Sequence, residues 1–113
     1  MTEAEKIFNM IENVDPTDSA TLDEIDFRVD KYLGGVPNYI KARQYTRSRD
    51  ALKAVRPEGW WFHGMSRYFD EPHIYVAEPK DDDSLILSPS LPTEELAELH
   101  AIVQAIAYER EKV

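Results

Sequence analysis

Apolar positions along this chain change period twice, and the changes mark out the elements. Ile7, Ile11 and Val14 recur at helical spacing, with Phe8 and Met10 beside them, behind the capping box Thr2-x-x-Glu5. The pattern predicts a short first helix, closed by Asp15-Pro16 because proline lacks the backbone donor and restricts the residue before it. A second box, Thr21-x-x-Glu24, precedes Leu22, Ile25, Val29, Tyr32 and Leu33, and Gly34-Gly35 supplies the left-handed conformation that ends a helix. The polar face of that helix is acidic, with Asp23, Asp26 and Asp30. Residues 34–46, around Val36-Pro37-Asn38, read as a loop with a short turn near Tyr39 and Ile40. Ser48 caps a third helix with Asp50 in its first turn and Leu52 and Val55 inward, until Pro57 and Gly59 stop it.

From Pro57 to Pro79 the aromatics suit a pleated, half-buried surface. Trp60, Trp61 and Phe62 form one run, and Tyr68, Phe69, His73 and Tyr75 follow around Asp70-Glu71-Pro72, which has turn chemistry. An antiparallel hairpin follows, with strands at about 60–69 and 73–78 and Gly64 marking a bulge or a close packing contact. Alternation sends one of Trp60 and Trp61 inward, to cover a helix at Leu99, Val103 and Ile106. Asp81-Asp82-Asp83 reads as a turn and Ser84 to Ser88 as a short third strand, before Pro89 and Pro92 force an extended connection. Thr93 then caps the longest helix, to about Lys112, with Leu96, Leu99, Val103, Ile106 and Arg110 on one stripe and Ile102 beside it. Seven-residue recurrence lasts barely two heptads, which favours a core-facing amphipathic helix over a coiled coil. The fold class is therefore α+β: a small antiparallel sheet of two or three strands in an α/β/α-type sandwich, with helices on one or both faces. Residues 1–113 make one domain, and residues 1–20 read as a peripheral helix and linker.

Charge alters this picture more than composition does. The net −9 is divided into −6 over residues 1–33, +5 over 34–57 and −8 over 58–113, so a basic band lies between two acidic ones. The favoured reading is self-neutralisation, with Arg47, Arg49, Lys53 and Arg56 facing the acidic helices. A chain without cysteine has no disulfide, thiolate metal site or cysteine nucleophile, and it fits a reducing cytoplasm. No apolar run approaches a membrane span, and Met1-Thr2-Glu3 begins acidic where a secretion signal begins basic.

The strings Tyr45-Thr46-Arg47-Ser48-Arg49-Asp50-Ala51-Leu52 and Val55-Arg56-Pro57-Glu58-Gly59-Trp60-Trp61, followed by a strand pair and a helix after a proline-containing linker, resemble the small phage and prophage proteins grouped as the phage ABA sandwich domain. An acidic helix upstream, as from Asp23 to Leu33, is also similar to that family. The resemblance covers roughly residues 22–112 and rests mainly on 45–61. Trp61-Phe62-His63-Gly64 and the Asp81 to Asp83 run depart from the family pattern. The resemblance implies an α/β sandwich, a mobile-element origin and a host cytoplasm; the family has no settled activity, so it implies no functional residues.

Candidate chemistry is thin. His63, His73 and His100 supply metal-ligand types, and His63 could face His73 across the hairpin, but no His-x-x-x-His or Glu-x-x-His pair lies on a helix, so packing histidines are favoured. Asp81 to Asp83 lacks the glycine and the bidentate acid of a calcium loop. Gly64-Met65-Ser66-Arg67 has half a nucleophile elbow, and none of the four glycines precedes a Lys-Ser or Lys-Thr pair. No metal, cofactor or catalytic residue is assigned. Two binding surfaces come forward instead. Strand aromatics, including Tyr68 and Tyr75, beside Arg47 and Arg49 match a single-strand nucleic-acid platform, which the overall negative charge opposes. Conversely, Asp23, Asp26 and Asp30, with Glu94, Glu95 and Glu98, could imitate phosphates on a nucleic-acid mimic that inhibits a host DNA-binding protein. The sequence as a whole points to a noncatalytic protein-interaction or regulatory module of phage type, cytoplasmic, away from membranes, with a partner protein of the host or a second copy of the chain.

Overall fold

The computed structural model describes residues 2–34, 43–65, 73–81 and 83–111. Helices α1 (Glu3–Asn13), α2 (Ser19–Tyr32) and α3 (Arg49–Val55) precede strands β1 (Trp60–Gly64), β2 (Tyr75–Pro79) and β3 (Ile86–Leu87), and α4 (Glu94–Glu111) closes the order. The expected turn at Asp70-Glu71-Pro72, together with Tyr68, Tyr39, Ile40 and Gly35, lies outside the described residues.

Local chemistry sets most of the boundaries. The Thr2 hydroxyl accepts from the Glu5 amide at 3.1 Å, Ser48 accepts from Ala51 at 3.2 Å, and Thr93 accepts from Leu96 at 3.1 Å. At α2 the capping residue is Asp18, not Thr21. One Asp18 oxygen accepts from the Thr21 amide and the other from its hydroxyl at 2.7 Å, so the helix begins three residues earlier than expected. Gly34 sits at φ 138° past the end of α2, and Gly59 at φ 84° turns the chain into β1.

The three-stranded sheet is antiparallel throughout, in the order β1-β2-β3. Trp60 pairs with Pro79, Phe62 with Ala77 and Gly64 with Tyr75, without a bulge. Gly64 is instead a close packing contact, since a Cβ there would lie 3.4 Å from the Tyr75 ring and 3.7 Å from Glu94 Oε1. His63 lies opposite Val76, not His73, which bridges to Leu91.

Trp60, Phe62, Tyr75, Ala77 and Ile86 face one way and join the core. α4 lies under that inner face and packs on all three strands, while α1 and α3 pack on α4, and α2 packs on α1. The α+β fold therefore has its described helices on one face of the sheet, with α4 as the middle layer. This position corrects the single-stripe reading of α4: Leu96 through Val103 are buried without interruption, including Glu98 and His100. It also corrects the reading of residues 1–20 as peripheral, because Ile7 and Ile11 of α1 are fully buried in the common core.

Candidate functional site

Three polar clusters and one apolar face are the places where chemistry or binding could reside. The first cluster ties α2 to the segment before α3. Tyr45 donates to Asp30 Oδ1 at 2.7 Å, the Thr46 amide donates to Asp26 Oδ1 at 2.8 Å, and Arg47 donates to Asp26 Oδ2 at 2.9 Å and to Asp23. Asp26 and Asp30 are 2% and 6% exposed. The acidic row expected at Asp23, Asp26 and Asp30 is thus not displayed: only Asp23 is exposed, and Arg47 covers it. A 3.6-residue period puts these carboxylates on one face, but that face is covered by the following loop rather than by water. Burial pushes the Asp26 carboxyl above its ordinary range against the pull of Thr46 and Arg47. Burial, reinforced by the Asp30 carboxylate, likewise pushes the Tyr45 phenol well above its usual value.

The second cluster lies between α3, α4 and β2. Glu98, with no exposed surface, accepts from Arg56 Nε at 2.8 Å and pairs with Arg49 Nη2 at 3.4 Å. Arg49 also reaches Glu94 at 2.7 Å, and both arginines donate to the Tyr75 hydroxyl, at 3.2 and 3.3 Å. Contact with Glu94 raises the Arg49 pKa further, and burial raises that of Tyr75 with the Glu98 carboxylate adding to it. Tyr75 is therefore a buried, protonated phenol on the inner face of the sheet, not a stacking platform. The basic band is turned onto the protein's own acids through Arg47, Arg49 and Arg56, as the self-neutralising reading expects, while Lys53 is exposed.

The third cluster was not foreseen. His100 stacks on Phe8 at 4.6 Å, its Nε2 lies 3.3 Å from Glu12, and its Nδ1 lies 2.8 Å from the Gln104 amide nitrogen. That same amide donates to the Leu87 carbonyl at 3.1 Å. Gln104 as donor makes Nδ1 the acceptor, so Nε2 carries the proton toward Glu12 and the ring is neutral. Burial holds His100 below the ordinary histidine pKa.

Among the described residues, none of these clusters brings a nucleophile, a base and an acid together on one hollow. An open groove of about 500 Å³ between α1 and α2 is lined by Glu3, Glu24, Phe27, Arg28, Lys31 and Tyr32, and there Arg28 is already paired with both glutamates. A smaller hollow of about 280 Å³ lies against Gly64, His73, Ile74 and Glu94. Among the described residues no group of three or more histidine and acidic side chains could hold a metal ion, and no helix is long and apolar enough to cross a membrane.

The apolar face is the outer side of the sheet. The register that turns Trp60, Phe62 and Ala77 inward turns Trp61, His63, Val76, Glu78 and Leu87 outward. Trp61 is 57% exposed, Met65 and Leu85 55%, and Leu87 50%, while Val76 between them is buried. These side chains expose on the order of 400 Å² of apolar surface, the size of the largest patch on a typical monomer, which is often functional. Strand parity puts Leu85 and Leu87 on the face opposite Ile86, but Leu85-Ile86-Leu87 is a continuous apolar run and does not say which face is open. A run apolar on both faces locates a strand without separating its buried side from its exposed one. No protein family, no curated protein and no solved structure matches this chain, so the likeness at residues 45–61 rests on those residues alone.

Proposed function

We propose that this chain is a noncatalytic protein-interaction module, of the phage type implied by residues 45–61, whose contact surface is the outer face of its sheet. The observation that carries this reading is the exposure of Trp61, Met65, Leu85 and Leu87 on a three-stranded sheet. Its partner is an apolar protein surface bordered by Lys or Arg. Glu78 lies opposite Trp61, the exposed Glu58, Asp81 and Asp83 flank the strands in sequence, Lys80 lies over the Trp61 ring at 5.8 Å, and the whole chain carries −9. Such a rim steers a cationic partner and rejects an anionic one.

A quantitative pull-down from bacterial lysate tests it, comparing the parent with Leu87→Glu and with Asp23→Lys. The reading expects a basic protein held by the parent and by Asp23→Lys, lost with Leu87→Glu, and released by salt. Identical retention on the parent and Leu87→Glu would remove the outer face from the account. The reading as a nucleic-acid mimic is not carried forward, because Asp26, Asp30 and Glu98 are buried.

A further inference from the structure

The two edges of the sheet are finished differently. At the β3 edge the strand has only two residues, and the outward Leu87 carbonyl is occupied by the Gln104 side chain reaching from α4. At the β1 edge the strand has five residues, Trp60–Gly64, and none is charged. Met65 donates to the Ile74 carbonyl at 2.9 Å and Lys80 to that of Gly59 at 2.8 Å, so residues 61, 63 and 65 form the hydrogen-bonded pairs with β2. The N–H and C=O groups of Trp60, Phe62 and Gly64 consequently point away from β2, and among the described residues nothing accepts or donates to them. Natural edge strands are protected by charge, proline, a bulge or shortness. β1 has none of these.

We infer that β1 pairs antiparallel with β1 of a second copy of this chain, about a twofold axis at Phe62, to form one continuous six-stranded sheet. In that register Phe62 lies opposite Phe62, and Trp60 lies opposite Gly64 of the second copy. Each outward residue then donates one backbone hydrogen bond and accepts one. The register also matches size: on the inner face the largest side chain of the strand meets the one residue without a side chain, and on the outer face Trp61 meets His63. The strand's own side chains place no like charges opposite each other at the seam, and Arg56, 5.5 Å from the Phe62 ring, is paired with Glu98 of its own copy. The −9 on each copy acts only at longer range, so salt strengthens this association by screening it. A foreign cationic strand on the same edge would weaken with salt. The inference goes beyond the outer-face reading and does not depend on it, because the edge uses backbone groups and the face uses side chains.

Sedimentation velocity from micromolar to millimolar protein, at about 50 and 500 mM salt, with amide hydrogen exchange on the same samples, provides the test. The expected result is a dimer that tightens with salt, in which the amides of Trp60, Phe62 and Gly64 become protected as it forms while those of Trp61 and His63 are protected throughout. Phe62→Pro removes an outward donor together with the half-buried Phe62 ring, and should give a less stable monomer that circular dichroism shows still folded. His63→Glu, at an exposed position, should weaken the dimer about tenfold through its two contacts with Trp61, and Leu87→Glu should leave it unchanged. A monomer at every concentration would overturn the inference. So would a dimer whose outward β1 amides exchange freely, which would place the contact elsewhere and would hold even if Phe62→Pro failed to fold. Loss of the dimer with Leu87→Glu alone would make the outer face the contact between copies and overturn the edge.

Discussion

Trp60 and Trp61 are neighbours of the same residue type, yet they share almost nothing of their surroundings. Trp60 points under the sheet, meets Tyr108 edge-on at 5.6 Å and donates its indole N–H to Glu109 at 3.0 Å. Trp61 points above it, with Lys80 over its ring. The difference runs through the whole sheet. Its inner face rests on a helix that is buried all round from Leu96 to Val103 and holds Glu98 and His100 in fixed company, whereas its outer face is an apolar surface without a described cover. Equal hydrophobicity thus serves stability on one side and leaves an available surface on the other, and strand parity alone decides which.

The largest expected effect separates the two tryptophans. Trp60→Ala removes a buried indole and leaves Glu109 without its donor, and should cost about 3–5 kcal/mol in denaturant unfolding. Trp61→Ala should change stability by about 0.5 kcal/mol or less. Similar losses for the two would show that the outer face is covered after all, and would remove the contrast on which the proposed interaction surface stands.

Much of this arrangement was legible beforehand. Two aromatic runs located the sheet, Ser48 and Thr93 began their helices as their side chains dictate, and the alternation of charge along the chain anticipated that Arg47, Arg49 and Arg56 would meet acids. Illegible features share a cause: they depend on what covers an element from elsewhere in the chain. Ala97, Ala101 and Ala105 are too small and Glu98 and His100 too polar to announce buried faces of α4, and only the packing of α1 and α3 makes them so. Asp26 and Asp30 obey helical spacing, but Tyr45 and Thr46 reach them from 15 and 20 residues away. Asp18 and Thr21 are both good capping types three residues apart, and the sequence does not say which one caps and which one donates.

A middle-sized effect tests whether charge beneath the sheet differs from charge above it. Glu98→Gln keeps the shape of the side chain but takes away the anion that Arg49 and Arg56 share, leaving two cations against Tyr75. The expected loss is about 1–3 kcal/mol, because a buried polar group loses a charged partner while both arginines remain partly solvated. Glu78→Gln on the outer face, opposite Trp61, should cost about 0.5 kcal/mol or less. A double-mutant cycle of Glu98→Gln with Arg56→Gln should show coupling; additive losses would mean that the ion pair is incidental and that Glu98 matters only as volume.

The smallest effect concerns the imidazole of His100 on α4, and its sign can be derived. His100 is neutral in the fold because burial opposes its charging more than Glu12 favours it, so its folded pKa lies below the roughly 6.5 of an unfolded histidine. Between these two values the unfolded chain binds a proton that the folded chain does not, and stability falls as pH falls. Its contribution is complete above the unfolded value and lost on acidification toward the folded one. Asp26 works in the opposite direction, since its pKa is raised from 3.8 and the fold loses stability as pH rises through that lower window. Comparing the parent with His100→Gln isolates the ring, because Asp26 is common to both. Denaturant unfolding at intervals between about pH 7 and pH 5 should therefore show a stability difference, parent minus variant, that shrinks with acid. A difference that grows instead would mean that Glu12 pairs with a charged imidazolium. Phe8, Glu12 and Gln104 would then form a solvated ion-pair site, and the inner side of the sheet would be less unlike the outer than the two tryptophans indicate.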